Sequence, residues 1–162
     1  MPFVYKKMES EEEILGKAYV HWKSWQETYP GLVPASYLEA LTLEKCEEIA
    51  RRWPDNILVA KEGDRVVGFA GYGTCRDGDL DNAGEIFALY VLGEVQRQGI
   101  GTELTRRALD LLADHPVAAL WVLDGNEKAI RFYEKTGFRF DGAEQTLQLG
   151  EPRTARRMLF AR

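Results

Sequence analysis

The chain predicts an α/β fold built on a mixed central sheet, and three observations carry that prediction. Residues 85–92 and 117–123 are short runs that are apolar almost throughout, as in strands buried on both faces. Between them, residues 101–114 place Leu104, Ala108, Leu111 and Leu112 on one helical stripe. A strand, a helix and a second strand in that order make a parallel pair with a crossover helix.

The remaining elements follow from local signals. Residues 3–8 alternate loosely and read as an edge strand. Ser10 before Glu11, Glu12 and Glu13 reads as a helix cap with acids in the first turn. Ile14, Ala18, Trp22 and Trp25 recur at helical spacing up to Thr28, and Tyr29-Pro30-Gly31 breaks the helix. A helix restarts at Pro34 with Leu38 and Leu41, and another runs from Thr42 through Cys46 and Ile49 to Trp53-Pro54. Residues 56–60 and 66–74 form a hairpin about the turn 62–65, followed by a polar, acidic loop over 75–83. A helix over 127–136 and strands over 138–148 and 154–161 complete the set. The predicted order is β-α-α-β-β-β-α-β-α-β-β, a single domain over 1–162 with hairpins at the sheet edges.

Composition narrows the function. With 162 residues, 45% of them hydrophobic, the chain can bury a real core. A net charge of −5 argues against a nucleic-acid partner held by phosphate contacts. No apolar run approaches the ~20 residues of a membrane span, and residues 1–9 lack a signal-peptide core. Cys46 and Cys75 are unpatterned, and His21 and His115 lie far apart, so no metal-ligand cluster is expected. These features suit a cytoplasmic protein with reduced thiols, and leave a homodimer open.

The most informative stretch is Gln96-Arg97-Gln98-Gly99-Ile100-Gly101-Thr102, between the first central strand and its helix. Glycines let backbone amides converge there, and the helix N-terminus adds free N–H groups and a positive dipole end. That is a site for a phosphate-bearing ligand. The dinucleotide fingerprint needs a small residue where Leu104 stands, and the ATP/GTP loop needs Gly-Lys-Ser/Thr, which is absent. A plain strand-to-helix turn remains the alternative.

Gln96-x-x-Gly99-x-Gly101 resembles the pyrophosphate loop of the GNAT superfamily of acetyl-CoA-dependent N-acetyltransferases. A second stretch, Asn126 to Phe138 with Ala129, Phe132, Tyr133 and Gly137, resembles that superfamily's other signature. Asn126 also reads as a helix cap and Gly137 as the helix-ending glycine. The likeness covers roughly residues 55 to 160.

The resemblance implies acetyl transfer from acetyl-CoA to a primary amine, either a small amine or a protein N-terminus. A CoA-binding module without catalysis is the alternative. The amides of Arg97, Gln98, Gly99, Ile100, Gly101 and Thr102 would hold the pyrophosphate, with the Arg97 side chain available for a charged contact. The strand carrying Leu89, Tyr90 and Val91 resembles the bulged cofactor-binding strand, which in the superfamily parts from its parallel neighbour. Asn126 matches a residue that contacts the pantetheine arm. Tyr133 matches the general acid that protonates the leaving sulfur, and could instead be a packing aromatic. Glu85, unexpected beside Ile86 and Phe87, resembles the catalytic glutamate of some members, and apolar walls would raise its pKa. An acetyl-cysteine route through Cys75 is disfavoured, because Asp77 and Asp79 would raise the thiol pKa. Trp25, Tyr29, Tyr37 and Trp121, with Glu27, are the groups available to an acceptor, although the Trp22/Trp25 stripe also suits a core.

Overall fold

The computed structural model describes residues 2–162 and contains one seven-stranded sheet, ordered β1-β2-β3-β4-β5-β7-β6. The chain runs β1 (Val4–Lys7), α1 (Glu11–Thr28), α2 (Ala35–Ala40), α3 (Leu43–Arg52), β2 (Ile57–Glu62) and β3 (Arg65–Thr74). It continues through β4 (Ala83–Val91), a 3-10 turn (Gly93–Val95), α4 (Ile100–Leu111), β5 (Val117–Leu123), α5 (Glu127–Thr136), β6 (Arg139–Gln148) and β7 (Pro152–Ala161). The expected α/β architecture is present, with one difference in order. Three helices separate β1 from β2, as the signals at Ser10, Pro34 and Thr42 predict, whereas the predicted order counted two. No helix among the described residues is long and apolar enough to cross a membrane.

Among the described residues the only parallel pair of strands is β4 with β5, and it is short. Ala83, Gly84 and Glu85 face Val117, Ala118 and Ala119, and there the pairing ends. On its other side β4 stays paired with β3 along its length, but the register slips where Tyr72 faces Ile86 and Gly71 faces Ala88. Phe87 is the extra residue of that bulge, which bends the strand. The expectation that residues 85–92 are buried on both faces therefore holds only for the first part. Ile86 is buried, Phe87 is 51% exposed, and Leu89, Tyr90 and Val91 are half-buried. Beyond Glu85 no strand covers one edge of β4.

Helix α1 lies between the sheet and α3. Its start is fixed by a capping box in which Ser10 accepts from the Glu13 amide and Glu13 accepts from the Ser10 amide. The stripe visible in the sequence, Ile14, Ala18 and Trp22, packs against Cys46 and Ala50 of α3 and Leu41 before it. The sheet-facing side carries polar groups instead. Lys17 lies 4.8 Å from the Phe69 ring centroid, and His21 stacks on Tyr90. The Glu13 carboxylate joins Lys6 of β1 and Lys61 of β2 at 2.8 and 3.0 Å, tying the helix to the sheet edge. Burial alone would raise the Glu13 pKa, but these lysines and the Ser10 and Glu9 amides hold it well below the usual carboxylate range.

In α4 the buried stripe is Ile100, Leu104, Thr105, Ala108, Leu109 and Leu112. Leu111 was expected on it, but it is 43% exposed, because the helix presents Leu109, two positions earlier, inward instead. Asn126 caps α5 through the Ala129 amide, and Gly137 ends it with φ 113°, a left-handed conformation that a Cβ would strain.

Lys17 is 5% exposed with no carboxylate beside it, and burial lowers its pKa. The unfolded chain then binds a proton that the folded chain gives up between the lowered value and about 10.5. Stability should therefore rise with pH across that window. Lys17→Met should raise the melting temperature by about 2–4 °C per kcal/mol of relieved desolvation, and the gain over wild type should shrink as pH rises. Melting curves from pH 7 to 10.5 check this; a Met variant less stable at every pH would show that the ammonium–ring contact outweighs desolvation.

Candidate active site

Where β4 and β5 part, the molecule opens into a cleft of about 1110 Å³. Its walls come from α1, α2, both central strands, the loop before α4, α5 and the β6–β7 hairpin. Of the residues proposed to hold a cofactor, Leu89, Tyr90, Val91, Gln96, Arg97, Gly99, Ile100, Gly101, Thr102, Asn126 and Tyr133 line it. Gln98 does not, and points to solvent.

The loop owes its shape to two left-handed residues, Arg97 at φ 67° and Gly99 at φ 81°. Such alternation turns backbone amides to one side and forms an anion-binding hollow at the start of α4. Gly101 serves differently from Gly99. Its φ is not positive, and a Cβ there would stand 3.4 Å from the Phe132 ring and 3.9 Å from Val91. Both are ordinary contacts, so neither dihedrals nor packing demand a glycine here; its lack of a side chain leaves the helix start open to the cleft. Gln96 braces the loop, donating to the Val91 carbonyl at 3.2 Å and accepting from Lys128. Lys128, Arg131 and Lys135 of α5 also line the cleft, at spacings of three and four residues. That basic stripe was readable in the sequence. With Arg97 it supplies cations suited to a polyphosphate ligand.

Asn126 is 8% exposed and spends its side-chain oxygen on the Ala129 amide at 3.4 Å. Tyr133 stands edge-on to Phe132 and Phe138, and burial followed by the nearby Tyr29 pushes its pKa up. Its phenol therefore keeps its proton at neutral pH. Tyr90, whose hydroxyl accepts from Trp25 Nε1 at 3.2 Å, is pushed up in the same way.

Glu85 lies beside the cleft rather than in its lining. Its carboxylate, the Cys75 thiol and the Asp77 carboxylate lie within 4.8 Å of one another. No donor cluster was expected from the linear pattern, yet the fold brings these three together. Burial is the main cause raising the Glu85 pKa, with Asp77 adding to it and the Cys75 hydrogen bond opposing it. The Cys75 thiol is pushed up to about 11, chiefly by burial, so a thiolate nucleophile is scarce.

Sequence reasoning missed Arg157. It is 4% exposed and joins three carboxylates: Asp79 in a fork at 2.6 and 2.8 Å, Asp141 at 2.7 Å and Asp77 at 3.1 Å. Asp77 also accepts from Trp121 Nε1 at 3.1 Å. The acidic loop is thereby clamped over β7, which fixes the surroundings of Glu85. Three acids near one inward arginine, far apart in sequence, leave no local signal.

The proposed acceptor residues Trp25, Glu27, Tyr29, Tyr37 and Trp121 all line the cleft. Glu27 is engaged, accepting from the Gly93 amide at 3.1 Å. Trp25 packs at tilted angles against both Tyr29 and Tyr37, and the three join Leu147 and Leu149 in a small second core, so they serve both packing and cleft wall.

A glycine-rich anion hollow, a basic helix face and an open fork between parallel strands suit a ligand with a phosphate end and an extended arm, as an acetyl-CoA-dependent acyltransferase requires. Residues 18–138 match the acetyltransferase (GNAT) family, and the chain belongs to it. It is 34% identical over 130 residues to the uncharacterized N-acetyltransferase YuaI of Bacillus subtilis, covering 76% of this chain and 73% of that one. An uncharacterized N-acetyltransferase of Archaeoglobus fulgidus is 32% identical over 118 residues, 70% of this chain and 80% of that one. The fold matches that of PaiA N-acetyltransferase from Thermoplasma acidophilum, solved in complex with coenzyme A, at a TM-score of 0.76 and 22% identity with both chains fully covered.

Gly101→Val should weaken acetyl-CoA binding by at least about tenfold while the protein stays folded, because the branched side chain presses on Phe132 and fills the ligand's approach. Calorimetric titration, read beside a melting curve, checks this. Unchanged affinity would assign Gly101 to packing alone.

Proposed function

We propose that the protein acetylates a primary amine directly, with Glu85 as the proton acceptor and Tyr133 as the proton donor, in one N-acetyltransferase domain spanning the chain. The reading rests above all on the forked cleft, which has the anion hollow in its wall, the buried phenol of Tyr133 facing it and the raised-pKa carboxylate of Glu85 beside it. Acetyl-CoA lies with its pyrophosphate on the amides of residues 97–102 and its thioester in the fork. The unpaired edge of β4 after Glu85 offers backbone groups to the pantetheine arm and thioester oxygen.

The amine nitrogen attacks the thioester carbonyl, a C–N bond forms and the C–S bond breaks. The ammonium proton passes to Glu85, through water since Glu85 stands behind the lining, and the sulfur takes a proton from Tyr133. Burial serves both groups: it brings Glu85 nearer to neutral pKa and keeps Tyr133 protonated. Asn126 has its oxygen occupied by the cap, so only its amide N–H₂ is left for the pantetheine arm. A CoA-binding module without catalysis would have no use for this pairing.

Glu85→Gln should lower turnover by about 10²–10⁴-fold at neutral pH while leaving acetyl-CoA affinity intact. The defect should narrow as pH approaches about 10, where the amine loses its proton unaided. Turnover profiles of both proteins check this; a loss constant across pH would make Glu85 a supporting group.

Tyr133→Phe keeps the ring against Phe132 and Phe138 but removes the proton. It should preserve melting temperature and acetyl-CoA affinity and lower turnover by about tenfold or more. Wild-type turnover with chemistry limiting would pass the acid role to water.

A further inference from the structure

We infer that the acceptor is an amine carrying a single positive charge on an apolar body, rather than a polycation; this rests on the acetyl-transfer reading of the cleft. Two independent features of the wall support it.

The first is charge. Among the described residues, the cleft lining holds four cationic side chains, Arg97, Lys128, Arg131 and Lys135, and one acid, Glu27. Glu27 already accepts from the Gly93 amide. The acids nearest the fork are no better placed for a second ammonium. Asp77 is held by Arg157 and Trp121, and Asp79 and Asp141 by Arg157. Only Glu85 lies outside that clamp, and it serves as the proton acceptor. A polyamine or a sugar bearing several amines would bring one or more further ammonium groups into a site without free carboxylates to receive them.

The second is surface. The wall not supplied by the loop before α4 and by α5 includes Ser24, Glu27 and Thr28 but is mostly aromatic and aliphatic, with Phe87, Tyr37, Trp121, Leu147 and Leu149. Phe87 is the bulged residue of β4 and is 51% exposed, an unusual position for a large apolar side chain. Nothing in the fold covers it. These residues are held in place: the hairpin turn at Gly150 abuts Tyr37, and Arg153 donates to the Leu32 carbonyl at 2.9 Å, closing the α1–α2 segment against β7. A fixed apolar wall beside the reacting centre gains by burying an alkyl or aryl group.

The amine can come from a free arylalkylamine or from the N-terminus of a peptide that begins with apolar residues. The product is the N-acetyl amide, with free CoA thiol and one proton released.

The test measures thiol release from acetyl-CoA by the full-length protein with phenethylamine, a Phe-Leu-Gly peptide and spermidine. Either apolar amine should exceed spermidine in kcat/KM by at least about tenfold, and the better of the two identifies the source. Leu149→Ala should raise the KM of that amine several-fold with the KM of acetyl-CoA unchanged. Spermidine equal to or better than both apolar amines overturns the inference. If no amine turns over, the transfer reading fails on its own. Calorimetric titration of the CoA-loaded protein with phenethylamine and spermidine then decides the wall: binding of phenethylamine alone upholds the inference, and any other order overturns it.

Discussion

The site depends on one constraint: β4 and β5 pair over three residues and then separate. A parallel pair normally continues until its strands end, because each unpaired buried amide or carbonyl costs free energy. Here Phe87 bulges out just beyond the last pair and turns β4 away, while β5 finds a continuous partner in β7 from Val117 to Leu123. The unpaired edge of β4 therefore faces a cavity. The 3-10 turn and the loop before α4 carry the chain from the end of that edge straight into the anion hollow, so one strand and its exit shape both ends of the cleft.

Buried charge is handled in opposite ways on the two sides of the sheet's centre. Arg157 is given three carboxylates and its charged form is strongly favoured. Lys17 is given an aromatic face and no counter-charge, and its charged form is disfavoured. The first arrangement orders the loop beside Glu85. The second leaves a cost within α1, whose sheet-facing side also buries the unpartnered Ser24 hydroxyl and His21 Nδ1. His21 is pushed down to about 4, by burial first and Lys17 second, so it stays neutral beside Tyr90.

Most of the fold was legible because its signals are local. Ser10, Thr42, Asn126 and Gly137 mark helix ends where the structure puts them, and the limits of β5 and α5 are those the pattern gives. The strand-to-helix turn over residues 96–102 was legible for the same reason, with positive φ at Arg97 and Gly99. What stayed hidden depends on contacts between distant segments. The Arg157 clamp joins residues 77, 79, 141 and 157, and Glu85 acquires its neighbours Cys75 and Asp77 only through the β3–β4 connection. The sheet-facing side of α1 was masked because Glu13, Lys17 and Ser24 break the apolar period. The exposure of Leu89 to Val91 could not be seen because a run that pairs on one edge reads like one that pairs on both.

The small core of Tyr29, Val33, Leu38 and Leu123 stands apart from the large one that holds the sheet. Among the described residues one side chain, Tyr90, touches both. Substitutions in the α1–α2 segment or the β6–β7 turn can therefore reshape one wall of the cleft without repacking the strands that lead into the loop before α4. A chain organised this way is evolvable: one wall of its cleft can drift while the sheet behind the others is kept.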